Sequence, residues 1–262
     1  MSRLSLNTLF FSLSFCLIIG VSVNAQITYP KASFELVMKQ TSGTNGSGIT
    51  YDATKDLYYA VIAGNKVFPM EVFDGKGNNV FQTEAGNDMR GIWWNKKTKS
   101  IEGNCYNDGG IVSMRLDENG YPSLGNKSIF EGGHQPADNS VGVFDGKKYI
   151  YYYADGAVFV YSRKTGSLAK TMSMGLAPTP SKRDLNGTSM IYTGKKKMEI
   201  GLLDAVNKKI YLFNKKDGQQ TAVITLPDSA TTNSSFRFGY ANGYAFIYGT
   251  SKRSWVGYRI FE

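Results

Sequence analysis

The sequence predicts an all-β fold, and three observations carry that prediction. Turn-forming and β-favouring residues are abundant and proline is scarce: 29 Gly, 17 Tyr and 15 Phe against 7 Pro in 262 residues. With no stretch patterned as an amphipathic helix, that usage reads as strands joined by tight turns. A hairpin phrase, an apolar run followed by a polar turn with glycine, recurs at Phe68 to Gly75, Ile111 to Gly120, Val158 to Gly166 and Ile210 to Gly218. A second pattern, an apolar run ending in an aromatic, recurs five times, at Tyr51, Trp94, Phe144, Tyr192 and Tyr240. A unit of about 43 to 50 residues repeated in this way has the period of a propeller blade.

Each aromatic ends the innermost strand of one unit: Gly48 to Asp52, Gly91 to Asn95, Val141 to Asp145, Ser189 to Thr193 and Phe238 to Tyr240. A second strand follows each, at Leu57–Ile62, Ser100–Cys105, Tyr149–Tyr153, Met198–Leu203 and Tyr244–Tyr248. These are apolar or alternating runs bounded by Gly, Asn, Asp and Lys. The hairpin phrase supplies the third and fourth strands, so a unit reads as four antiparallel strands, A to D from the inside outward. Blades then cover residues 48–84, 89–131, 139–174 and 189–226.

The fifth unit runs out after its third strand, Trp255–Phe261, while Ser33–Met38 precedes the first unit and belongs to none. Pairing these two segments closes the ring and leaves no unpaired edge. The expectation is a five-bladed β-propeller of four-stranded antiparallel blades, one domain over residues 26–262, monomeric. A sixth blade is the alternative, and it needs a further hairpin between Ala177 and Lys195. Pro178 and Pro180 make that stretch read as a long loop.

Residues 1–25 carry Arg3, an apolar run from Leu9 to Val21, and Val23-Asn24-Ala25 before Gln26. That is the pattern of a cleaved secretory signal peptide, so the protein is expected to be secreted or periplasmic, with no transmembrane segment after cleavage. Cys16 lies in this leader, and Cys105 is the one cysteine after it. A disulfide framework is thereby excluded within the propeller chain, and a packed core must hold it.

The formal net charge is +9. Lysines cluster at turns: Lys96-Lys97, Lys147-Lys148, Lys195-Lys196-Lys197, Lys208-Lys209 and Lys215-Lys216. Scattered over many turns, they read first as solubilising groups that deter edge pairing. Attraction to a polyanion is the functional alternative. No specific nucleic-acid motif accompanies them.

Propellers present ligand sites at a channel mouth, and the D-to-A and B-to-C loops are the expected location. The residues there that break the repeat are Asp88, Arg90, Asp108, His134, Asp138, Asn139, Asp155 and Arg237, with Trp93 on an adjoining strand. These nine are the candidate ligand-binding residues. His134 is the single histidine, which excludes a histidine-cluster metal centre within one chain. No Gly-x-Ser-x-Gly nucleophile motif occurs.

Asp88, Asp108, Asp138 and Asp155, with Asn87 and Asn139, could supply hard oxygen ligands to calcium. Asp and Asn serve equally as turn residues, which is the simpler reading, so no cofactor is expected and calcium is the one candidate. Glycoside hydrolysis needs two carboxylates across a sugar bond, and Glu84, Asp88, Asp138 and Asp155 are those available. Most aromatics should wedge between blades, with Trp93 facing opposite to Trp94.

The blade rhythm, with turns such as Tyr51-Asp-Ala-Thr-Lys-Asp-Leu-Tyr58 and Leu203-Asp-Ala-Val-Asn-Lys-Lys-Ile-Tyr211, resembles the broad superfamily of secreted propellers that includes the NHL, YVTN and gluconolactonase-like groups. The resemblance implies the fold across residues 26–262. The Trp-Asp strand endings, the Ser-x-Asp-x-Gly-x-x-Trp boxes and the Glu-Gly-Pro-x-Trp metal-ligand motif of particular groups are absent, so no ligand set carries over. The expected function is an exported, non-catalytic binding or interaction propeller whose partner is a protein, glycan or small molecule held at the channel mouth. The alternative is a calcium-type, metal-dependent hydrolase or lactonase.

Overall fold

The computed structural model describes residues 27, 28, 30–64, 67–107, 109–176 and 182–261. The leader, Asn65 and Asp108 lie outside them. Two short strands, β1 (Ile27–Thr28) and β2 (Ala32–Val37), come first. Blade 1 is β3 (Asn45–Asp52), β4 (Leu57–Ala63), β5 (Pro69–Asp74) and β6 (Asn79–Glu84). Blade 2 is β7 (Met89–Asn95), β8 (Ser100–Cys105), β9 (Ile111–Met114) and β10 (Asn126–Phe130). Blade 3 is β11 (Val143–Phe144), β12 (Tyr149–Ala154), β13 (Ala157–Ser162) and β14 (Leu168–Ser173). Blade 4 is β15 (Ile191–Tyr192), β16 (Ile200–Asp204), β17 (Lys209–Phe213) and β18 (Gln220–Thr225), with β1 added in parallel at its outer edge. Blade 5 is β19 (Phe238–Ala241), β20 (Tyr244–Gly249), β21 (Ser254–Arg259) and β2.

The five inner strands β3, β7, β11, β15 and β19 contact one another in a closed ring. The protein is therefore a five-bladed β-propeller, and residues 182–190 hold no further hairpin. No helix of the described residues is long and apolar enough to cross a membrane.

Closure follows the expected pairing of the two chain ends, with Leu36 opposite Trp255 and Glu35 opposite Val256. Side chains then lock the exit of β2. Arg253 donates to the carbonyls of Gln40 (3.0 and 2.7 Å), Ser42 (2.7 Å) and Gly43 (3.1 Å). Glu71, fully buried, accepts from the amides of Lys39 (2.9 Å) and Gln40 (2.6 Å). Charge-assisted bonds of this kind are stronger than neutral ones, so the closing strand is held by more than its ladder.

The core is five seams, one at each blade junction, because alternate side chains of each strand face opposite neighbours. Tyr58 packs towards blade 5 while Tyr59 packs towards blade 2, and Tyr151 faces blade 4 while Tyr152 faces blade 2. The seam between blades 2 and 3 holds a polar network beside its apolar residues. Buried Glu102 accepts from Trp93 Nε1 (3.0 Å), Asn95 Nδ2 (2.8 Å) and both Nε (2.7 Å) and Nη2 (2.5 Å) of Arg163. The inner strands meet here at closest approach: a Cβ on Gly91 would sit 2.2 Å from the carbonyl oxygen of Gly142.

Candidate functional site

Strand direction divides the channel into two ends. The inner strands start at the end built from D–A and B–C connections and finish at the end carrying the A–B turns. A cavity of about 350 Å³ occupies the channel. Its lining runs from Ser47, Gly91, Val141, Met190 and Phe238, at or near the strand starts, to Ala53, Lys96 and Asn242 in exposed A–B turns. It therefore opens at the A–B end.

The mouth is collared by the five repeated aromatics, each half-buried. Each wedges one edge into a blade seam and turns the other to the cavity. Trp94 stacks on Tyr59 with ring planes 4° apart and Tyr192 on Tyr151, while Phe144 packs tilted against Trp93 and Tyr51 tilted against Tyr58; Tyr240 packs in the seam between blades 4 and 5. Their polar atoms differ. Tyr51 donates its hydroxyl to Asp56 (2.6 Å), and Lys215 donates to the Tyr192 hydroxyl (2.7 Å). Neither Trp94 Nε1 nor the Tyr240 hydroxyl has a partner among the described residues. Burial pushes the Tyr240 hydroxyl up to about 12, and burial together with Asp56 raises that of Tyr51. All three tyrosines are thus neutral hydrogen-bonding groups near neutral pH.

No Asp, Glu, His or Cys lines this cavity. A second hollow of about 390 Å³ adjoins it through Tyr240 and Asn242 and is flanked by Lys195, Arg259 and Phe261. Asn242 and Gly243 both take positive φ, as a two-residue hairpin turn requires, and Asn242 donates to the Tyr58 hydroxyl (2.7 Å).

At the opposite end the described residues bring charged side chains together. Arg90, 7% exposed, pairs with Asp88 at 2.7 Å and lies 4.2 Å from the Tyr106 ring and 5.3 Å from that of Phe236. Burial pulls its guanidinium below the ordinary arginine value, opposed by Asp88 and Tyr106. Arg237, next to Phe236, donates to Asn45 Oδ1 (3.0 Å), and Phe236 and Arg237 both have positive φ. Ser47 Oγ donates to the Met89 carbonyl (2.8 Å).

Of the nine candidate residues, the structure gathers Asp88, Arg90 and the Phe236–Arg237 segment at this end. It does not bring the others to them. Trp93 lies in a blade seam and also lines the channel cavity, with its indole N–H donated to Glu102 (3.0 Å). His134 lies beyond blade 2 with Nδ1 3.2 Å from the Gly166 carbonyl oxygen and its ring against Phe130. Asp138 and Asn139 are exposed loop residues, and Asp155 with Gly156 forms a hairpin turn at positive φ. Asp108 lies outside the described residues. Among the described residues, no group of three or more His, Cys, Asp or Glu side chains could hold a metal ion. Lys96, Asn242 and the cavity-facing edges of the aromatics were missed, although the five-fold recurrence marked the aromatic positions.

No protein-family model matches the sequence. No curated protein matches it either. Among solved structures, a glutaminyl cyclase from Myxococcus xanthus superposes with a TM-score of 0.57 at 10% identity, covering 89% of this chain and 97% of that one. A chain from a nidogen/laminin complex aligns with a TM-score of 0.47 at 12% identity, over 79% of this chain and 72% of that one. At such identity the similarity to the cyclase extends to the β-propeller fold and no further.

Proposed function

We propose that this protein is an exported, non-catalytic binding propeller that takes its ligand at the A–B mouth of the channel. The observation that carries the reading is the lining of the cavity: five aromatic edges, tyrosine hydroxyls and Lys96, with no carboxylate, imidazole or thiol. Aromatic faces with a few polar tips recognise flat or ring-shaped groups by stacking and hydrogen bonding. Acid–base or nucleophilic turnover of a lactone or glycoside needs a titratable group near the reacting atoms. The described lining of this mouth offers tyrosines and Lys96 but no carboxylate pair, imidazole or thiol for that chemistry. Export is supported by the leader pattern of residues 1–25, and the NHL- and YVTN-like blade rhythm accommodates a binding role.

Trp94 supplies the test. Trp93 is 5% exposed and Trp255 0%, so Trp94 is the tryptophan placed to report on a ligand in the mouth. Titration with a panel of oligosaccharides and peptides should give a saturable change in tryptophan fluorescence for at least one member. That change should disappear in Trp94→Phe. Steady turnover of a lactone, a glycoside or an N-terminal glutaminyl peptide by the purified protein would overturn the reading in favour of an enzyme.

A further inference from the structure

We infer that the ligand of this mouth is an acidic polysaccharide, a chain bearing carboxylate or sulfate groups that lies across the A–B face with one sugar ring seated in the collar. The inference rests on the binding role proposed above. Its first support is how charge is divided between the two faces. The A–B turns at 53–56, 96–99, 145–148 and 193–199 carry nine lysines against Asp56, Asp145 and Glu199, and the C–D turns of the same end add Lys76, Arg115, Arg163, Lys164, Lys215 and Lys216 against Asp117, Glu118 and Asp217. The described parts of the D–A and B–C connections carry seven basic and six acidic residues. The lysine clusters that look scattered along the sequence are therefore largely gathered on one face.

That charge is not neutralised internally. Ion pairs among the described residues are Arg90–Asp88 and Arg163–Glu102, and neither involves a lysine. The three carboxylates of the A–B turns are engaged otherwise. Asp56 accepts from Tyr51, Asp145 accepts from the amides of Lys147, Lys148 and Tyr149, and Glu199 accepts from the amide of Lys215. A face with uncompensated positive charge around a concave mouth concentrates anions there.

The shape and chemistry then select among anions. The mouth continues through Tyr240 and Asn242 into the hollow beside Lys195 and Arg259, so the site extends beyond one ring towards a chain. Ring faces for stacking, together with the hydroxyl of Tyr240 and the indole N–H of Trp94, match a sugar's apolar face and its hydroxyls. The cations of the turns are lysines, which act as point charges tolerant of spacing. Arginine forks, which read phosphate bidentately, are absent from the A–B turns, and Arg259 beside the adjoining hollow spends Nη1 on the Tyr244 hydroxyl (3.1 Å).

The experiment titrates the full propeller with polygalacturonate, neutral dextran and poly(dT) at 50 and 200 mM salt, with the thermal midpoint of every variant recorded. Polygalacturonate should bind and should weaken roughly 10- to 100-fold between the two salt concentrations. Replacing Lys96, Lys147 and Lys196 by Gln together should reduce the slope of log affinity against log salt by about 2. Trp94→Ala should weaken binding by about 10-fold or more. Because Trp94 also packs on Tyr59, Lys96→Glu is read beside it: this exposed residue has no protein partner, and its reversal should weaken polygalacturonate at an unchanged thermal midpoint.

Dextran binding as tightly as polygalacturonate at 50 mM salt, with both losing affinity in Trp94→Ala, overturns the acidic class and leaves the binding role standing. Polygalacturonate binding indifferent to Trp94→Ala and Lys96→Glu overturns both the inference and the mouth as the site. Tighter binding of poly(dT) than of polygalacturonate, or binding of none of the three, overturns the inference.

Discussion

The two ends of the channel are built from the same inner strands yet use polar chemistry in opposite ways. At the D–A end, Asp88 pairs with Arg90 and Asn45 accepts from Arg237, while Arg90 Nε and Arg237 Nε are buried without a partner and the Arg90 guanidinium lies between Tyr106 and Phe236. At the A–B end, the Tyr240 hydroxyl, the Trp94 indole and the ammonium of Lys96 are left without protein partners beside a cavity. Charged residues that interrupt a repeat attract attention in a sequence, but here they close the ring. The groups free to meet a ligand are those on which every blade agrees. The difference separates stability from recognition, and substitutions at the two ends should fall on different measurements.

The largest effect is expected at the closest approach of blades 2 and 3. Gly91→Ala places a methyl 2.2 Å from the Gly142 carbonyl oxygen and 2.6 Å from its amide nitrogen. Backbone on both sides cannot retreat as a flexible side chain could, so the ring must loosen, at about 3 kcal/mol or more. Gly146→Ala is the matched control at the other end. Gly146 sits in an A–B turn at φ 75° with nothing within 4 Å of the added methyl, so it should lose only the conformational term, about 1 kcal/mol. Urea unfolding of both variants gives the comparison. Equal losses would show that the approach of the blades is not what constrains position 91.

Arg253→Ala comes next. It removes the four bonds that fasten residues 40–43 after the closing strand, and about 2 to 3 kcal/mol should go with them. Arg253→Lys should recover only part, because a single ammonium cannot span three carbonyls. If the alanine variant unfolds within about 0.5 kcal/mol of the parent, the ladder between β2 and β21 closes the ring unaided.

Much of this architecture was legible before any coordinates. The five aromatics at 51, 94, 144, 192 and 240 set the blade count, and the spare Ser33–Met38 against the incomplete last unit located the closure. Both are consequences of local pattern: period-two alternation and glycine-bearing turns. What escaped was whatever depends on the twist and on distant contacts. The short inner strands β11 and β15 pair over only two residues each, which a run such as Val141 to Asp145 does not disclose. β1 joins blade 4 in parallel through a pairing nearly two hundred residues apart in sequence. The Glu102–Arg163 pair crosses a blade seam, and nothing around either residue marks the other. The lining of the channel cavity escaped for a related reason. Most aromatics were assigned to packing between blades, whereas each of the five repeated ones also lines the channel cavity. The lysine turns looked dispersed because sequence distance hides that A–B turns share a face.

Arg90 tests the D–A end at a smaller scale. Arg90→Met keeps the apolar stem between Tyr106 and Phe236 but leaves Asp88 without its cation, and about 1 to 2 kcal/mol should be lost. Lys96→Gln, exposed and unpartnered, should leave stability unchanged while weakening ligand binding. Cys105 provides a local readout. It is 2% exposed at the D–A end, and burial, with Asp88 adding to it, pushes its thiol up to about 12. The folded parent should therefore resist thiol reagents at pH 8. Labelling should quicken in Arg90→Met and stay slow in Lys96→Gln. A reversal of that order would mean that Arg90 does not close the end at which it lies.

The smallest effect at neutral pH, and the one confined to the open mouth, belongs to Tyr240. Its hydroxyl has no protein partner, so Tyr240→Phe should change stability at pH 7 by no more than a few tenths of a kcal/mol. Alkaline pH separates the two proteins. Burial raises the folded-state value of Tyr240 from the ordinary 10.0 to about 12, so the fold favours the protonated phenol. Its contribution is then intact below pH 10, where both states hold the proton. It is lost as pH rises from 10 towards 12, because the unfolded chain sheds the proton first. Other buried tyrosines, among them Tyr58 and Tyr153, are raised by burial as well and remain in both proteins. The parent and Tyr240→Phe should thus both weaken above pH 10, the variant with the shallower slope. Identical slopes in urea midpoints measured between pH 9 and 11.5 would show that the mouth hydrates Tyr240 fully, and that the collar is open water at that blade.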